Sequence, residues 1–127
     1  MAILELNIKL TEQQRATCEL VRKFTTEMVR SAGVKLDRLH DPADVIAQGS
    51  PLHDVFRKYR ELGLHKASLP AAVGGLEQDA LTGALIHEQL GWGDGGVGYC
   101  ANRFYISLPF CHAIARRRGS KFDAPVL

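Results

Sequence analysis

The chain has 127 residues, 46% of them hydrophobic and 24% charged, enough apolar material for the core of one domain. Its formal charge of +2 is too small to argue for nucleic acid, and no apolar run approaches the roughly 20 residues that cross a bilayer. Met1-Ala2-Ile3-Leu4-Glu5 lacks the features of a secretory signal, and Cys18, Cys100 and Cys111 form no C-x-x-C, so reduced thiols and a cytoplasmic location are expected.

Leu4, Leu6, Ile8 and Leu10 alternate with Glu5, Asn7 and Lys9, a period of two that predicts an extended N-terminal arm. Thr11-x-x-Gln14 is a capping box and opens a helix with Val21, Phe24 and Met28 on its apolar stripe. Gly33 is expected to close that helix near Ser31 and Ala32. Asp41-Pro42 reads as a cap followed by proline at the first helical position, opening a short helix that Gly49 ends. Ser50-Pro51 repeats the device for a helix that turns Leu52, Val55, Phe56, Tyr59 and Leu62 inward and stops at Gly63. Residues 64–78 have no sustained period and read as a turn-rich loop. Asp79 caps the next helix, whose inner face is expected to be Leu81, Ala84, Leu85 and Glu88, with Ile86 and Leu90 flanking. Five glycines between Gly91 and Gly98 predict a corner, and a last helical stretch of roughly 99–118 carries Ile106, Phe110 and Ile114, kinked at Pro109. The fold class that follows is all-α: an orthogonal or up-down bundle of four to five helices over residues 1–118, with an extended N-terminal arm and a tail at 119–127.

Few motifs carry chemistry. Gly91-Trp92-Gly93-Asp94-Gly95-Gly96 satisfies G-x-G-x-x-G, but a dinucleotide fingerprint needs a preceding strand, and here a helix precedes it. His87-Glu88 begins an H-E-x-x-H pattern that Gly91 breaks, so no metal is expected. Glu88, on the expected inner face, should be paired or hydrogen-bonded, because an isolated buried charge costs several kcal/mol. Arg116-Arg117-Arg118 with Lys121 is a local basic cluster, either a solvated helix end or a contact for an anionic ligand or partner face.

Taken in order, Leu10-Thr11-Glu12-Gln13-Gln14, then Glu61-Leu62-Gly63-Leu64, then Pro70 with Gly74-Gly75, then Glu88-Gln89-Leu90 with Gly93-Asp94, resemble the N-terminal helical domain of acyl-CoA dehydrogenases. The chain departs from that pattern where Gly74-Gly75 is followed by Leu76-Glu77 rather than a further glycine. In that family the enzyme removes the α-proton of an acyl thioester with a carboxylate and passes the β-hydride to FAD. The resemblance implies that this domain covers one side of the flavin and acyl pocket, with Gly98, Tyr99, Asn102, Arg103 and Ile106 near the substrate. It implies no catalytic residue here, since the pattern ends at Leu127, before the family's flavin-contacting β-domain and its catalytic glutamate. FAD would then be bound mainly by other domains, supplied by a flavin-bearing dehydrogenase subunit, by self-association or by a longer precursor. An acyl-CoA-type ligand is implied, and neither nucleic acid nor a membrane. The competing expectation is a non-enzymatic helical interaction subunit derived from the same fold.

Overall fold

The computed structural model describes residues 9–102. Most of the expected arm, the stretch beyond Asn102 with its basic cluster, and the expected tail at 119–127 lie outside the described residues. Within them the protein is all-α, as the pattern of caps and stripes predicts.

Thr11 starts the first helix, α1 (Glu12–Phe24), with both halves of the capping box formed. Its Oγ1 accepts from the Gln14 backbone N–H at 3.2 Å, and Gln14 Oε1 accepts from the Thr11 N–H at 3.0 Å. The helix does not end at Ser31. It passes through a π-helical stretch (Thr25–Val29) into α2 (Arg30–Leu36), so one continuous rod carries Gly33 within its helical run. Gly33 is helical because its missing side chain makes room for another element: a Cβ there would collide with the carboxylate of Asp94.

Asp41 and Ser50 cap α3 (Pro42–Val45) and α4 (Pro51–Glu61), each with proline in the first turn. Asp41 Oδ1 accepts from the Ala43 N–H at 2.8 Å; Ser50 Oγ accepts from the Leu52 N–H at 3.3 Å and donates to the Val45 carbonyl at 2.6 Å. The α3 helix is a single turn, shorter than expected, and Gly49 closes the bend after it rather than the helix itself. Leu52, Val55 and Tyr59 of α4 are buried, with Phe56 and Leu62 packed beside them. The loop after Gly63 contains two 3-10 turns, Leu64–Lys66 and Ala71–Val73, tied by backbone bonds such as Leu76 N–H to Lys66 O and Gln78 N–H to Ala67 O, both 2.8 Å.

Asp79 caps α5 (Ala80–Gly93), its Oδ1 accepting from the Thr82 N–H at 2.6 Å. This helix runs alongside α1 in the same direction: Gln14 donates to Asp79 at 3.4 Å where both begin, and Gly93 meets Thr25 near the far end. The buried face of α5 is Thr82, Ile86, Gln89 and Leu90. The expected face was rotated, and both Ala84 and Glu88 are exposed. The reason lies in composition: Leu81, Leu85, Ile86 and Leu90 spread apolar side chains around the helix, so no stripe stands out. Val21, Phe24, Val29, Ile86 and Leu90 join Val55 and Tyr59 in one core, each buried aliphatic contributing about 1.5–3 kcal/mol.

The glycine-rich corner is a single residue. Asp94 is extended (φ −164°, ψ 118°), and a further helix, α6, covers 95–102. It begins four residues before the sequence pattern suggested.

Two outcomes follow. Gly93 lies where an added methyl would strike the Thr25 side chain and come within 3.2 Å of Val29, whereas Gly83 of the same helix faces open space. In urea denaturation, Gly93→Ala should lose roughly 1–3 kcal/mol, and Gly83→Ala should gain about 0.5–1 kcal/mol. Burial, then the positive charges of Lys66 and Arg60, hold His65 below its ordinary value of 6.5. The unfolded chain therefore takes up that proton first, so the contribution to stability is complete above pH 6.5 and is lost as pH falls through the folded value. Denaturation midpoints measured against pH should show this decline, and His65→Gln should remove it.

Candidate functional site

Of the five residues that the resemblance placed near a substrate, Gly98, Tyr99 and Asn102 are described, and these three fall on α6. How α6 is seated decides what they can do. Asp94 closes α5 with its N–H to the Leu90 carbonyl at 3.2 Å. It also opens α6, its Oδ1 accepting from the Val97 N–H at 2.8 Å and its carbonyl from the Gly98 N–H at 2.9 Å. Val97 and Ala101 are buried in the core. Gly98 is buried between them in sequence and lies against the backbone of α5, where a Cβ would be 3.0 Å from the Leu90 carbonyl oxygen. Tyr99, one residue on, is 57% exposed. Consecutive helical residues point about 100° apart, so one turn presents both a packing surface and an outward aromatic.

Asn102 is the polar centre of the arrangement. Its Oδ1 accepts from the hydroxyl of Tyr59 on α4 at 3.1 Å, and its Nδ2 meets Nε2 of His87 on α5. Three helices are joined through one amide. Tyr59 is buried, Asn102 half-buried and His87 exposed, so the chain runs from the core to the surface. Arg103 and Ile106 lie outside the described residues.

This constellation orients side chains and links three helices. Glu88, next to His87, is exposed, and so not the buried carboxylate expected of it. Cys18 has its thiol pushed up, by burial first and then by the charges of Glu88 and Glu19, which disfavours a reactive thiolate. Among the described residues no group of three or more His, Cys, Asp or Glu could hold a metal ion, and no helix is long and apolar enough to cross a membrane. Sequence reasoning singled out Asn102 but missed Tyr59 and His87 as its partners. They lie 43 and 15 residues away, and no spacing rule connects them.

Removing the shared amide takes away the acceptor that α6 offers the Tyr59 hydroxyl and cuts a link between helices. Asn102→Ala should therefore cost about 1–3 kcal/mol in chemical denaturation and raise amide exchange rates across 95–102. His87→Ala, at the exposed end, should change both much less.

Comparison with known proteins agrees with this architecture. The model of the acyl-CoA dehydrogenase N-terminal domain matches residues 11–116. The cyclohex-1-ene-1-carbonyl-CoA dehydrogenase of Geobacter metallireducens is 38% identical over 82 residues, which are 65% of this chain and 19% of that protein. The chain thus corresponds to a minor part of that curated relative's length. No solved structure matches the chain. With the family pattern extending from the Thr11 cap through α6 and beyond, the chain belongs to the acyl-CoA dehydrogenase family, by its N-terminal helical domain.

Proposed function

We propose that this chain forms one wall of the flavin and acyl pocket of a FAD-dependent acyl-CoA dehydrogenase-like oxidoreductase, and that catalysis needs further domains or a partner subunit. The observation that carries this reading is the family match over residues 11–116. On it, Gly98, Tyr99, Asn102, Arg103 and Ile106 are the residues near the substrate, with Tyr99 on the outward side of α6 and Asn102 held by Tyr59 and His87. A rigid helical wall excludes water from the reacting atoms, which strengthens every electrostatic interaction in the cleft.

The described residues do not by themselves fit the phosphates of a flavin dinucleotide. Such groups favour uncapped helix N-termini. Here Thr11, Asp41, Ser50, Asp79 and Asp94 each fill the start of their own helix, three of them with a carboxylate that repels an anion. Flavin binding is therefore assigned mainly to other segments. A cytoplasmic setting belongs to the same proposal. The relative named for a cyclic acyl thioester makes cyclohexene-carbonyl thioesters the first substrates to try.

A second reading, a helical interaction subunit without enzymatic activity, is favoured by one feature: Ile46, Leu76, Tyr99 and Val34 are large apolar side chains left more than half exposed. Purification of the protein from its native source separates the two. Visible flavin absorbance that travels with the chain, together with oxidation of an acyl-CoA by that material, is the outcome expected. A colourless monomer with no partner would overturn the proposal, and a stable homo-oligomer lacking any flavoprotein would favour the second reading.

A further inference from the structure

Trp92, at the end of α5, is 40% exposed and carries two cations on its ring: the guanidinium carbon of Arg22 is 3.8 Å from the ring centroid and that of Arg30 is 4.7 Å. Arg22 comes from α1 and Arg30 from α2, eight positions along the rod. Eight residues of uninterrupted α-helix wind about 2.2 turns, which would carry the second arginine well past the first. The π-helical stretch Thr25–Val29 lies between them, and its wider i→i+5 winding turns less per residue. The irregularity in the rod thus brings both arginines back to one line, where a single indole reaches both.

Neither arginine has an ion pair among the described residues. Among the described residues the ion pairs are Arg57 with Asp54 and Lys58 with Glu61, so Glu19 and Glu27, each three residues before one of these arginines, form none with them. The Asp94 carboxylate, two residues past Trp92, is committed to the Val97 N–H. A guanidinium stacked on a ring uses its face and leaves N–H donors at its edge for planar acceptors. Nη1 of Arg22 is buried, so its other N–H groups and the exposed Arg30 are the ones a partner can reach. Two guanidinium groups on one ring lie within the screening length of about 10 Å at 0.1 M salt, so they repel each other, and acidic groups bound beside them relieve that repulsion. Arginine and tryptophan are also the side chains most enriched where protein interfaces concentrate their energy. Val34, 55% exposed and one turn after Arg30, adds apolar surface beside it.

We propose that the Arg22–Trp92–Arg30 face is a docking site for an acidic segment of a partner polypeptide, its carboxylates bridging the two guanidinium edges. The site lies on the outer side of the α1–α2 rod and α5, and it does not depend on the pocket role assigned to α6.

Trp92 is the one tryptophan of the chain, so its emission reads the site directly. The full chain is titrated with a Glu-rich peptide, with a Lys-rich peptide and with inorganic phosphate, at low and high salt. A saturable change in emission is expected with the Glu-rich peptide alone, weakened by salt. Arg22→Gln and Arg30→Gln should each weaken it roughly tenfold, the loss of one charge-assisted contact. Lys23→Gln, which removes the same charge from a neighbouring exposed position, should leave it unchanged. Arg30 is exposed, so its variant remains informative even if Arg22→Gln lowers the melting temperature. No saturable change, an equal loss in Lys23→Gln, or the same change produced by phosphate at comparable concentration would each overturn the proposal.

Discussion

The structure depends on how closely α5 can approach the rod formed by α1, the π stretch and α2. Gly93 lies directly on Thr25, and Gly33 leaves the space into which Asp94 puts its carboxylate. Without these two contacts the helices could not sit at backbone distance, and Ile86 and Leu90 could not reach Val21, Phe24 and Val29 in the shared core. Asp94 converts this packing into a change of direction. Held over Gly33, it ends one helix and starts the next with its own side chain, and α6 is aimed by that geometry.

The polar features are arranged around the same contact. The Tyr59–Asn102–His87 chain ties α6 to α4 and α5 at Asn102, as Asp94 fixes its beginning. A stretch of helix tied at two points is held rigidly, since each satisfied polar group removes an alternative packing. That rigidity supports the proposed role of the domain as one wall of a cleft.

The π stretch illustrates how a local irregularity can matter at a distance. It opens the i→i+4 ladder near the middle of the rod, where Thr25 and Val29 are fully buried. Its consequence appears on the outside, where Arg22 and Arg30 meet the same indole. Packing on one side of the rod and charge placement on the other are set by the same change in winding.

Local rules written into the chain determined the helix starts. Thr11, Asp41, Ser50 and Asp79 cap as their side chains dictate, because a cap needs only the three residues that follow it. The inward side chains of α4 were also legible, since one stripe of Leu52, Val55 and Tyr59 faces a polar remainder. The order of these elements was enough to suggest the family. What tertiary structure alone decided was every feature that joins distant segments. Gly33 is a contact rather than a stop because Asp94 occupies the space beside it, and a residue 61 positions away leaves no local mark. The face of α5 was settled by which side meets the rod, because apolar residues surround that helix and periodicity could not choose. The same holds for Asn102: its amide gains its role from a tyrosine and a histidine that only folding brings within hydrogen-bonding reach.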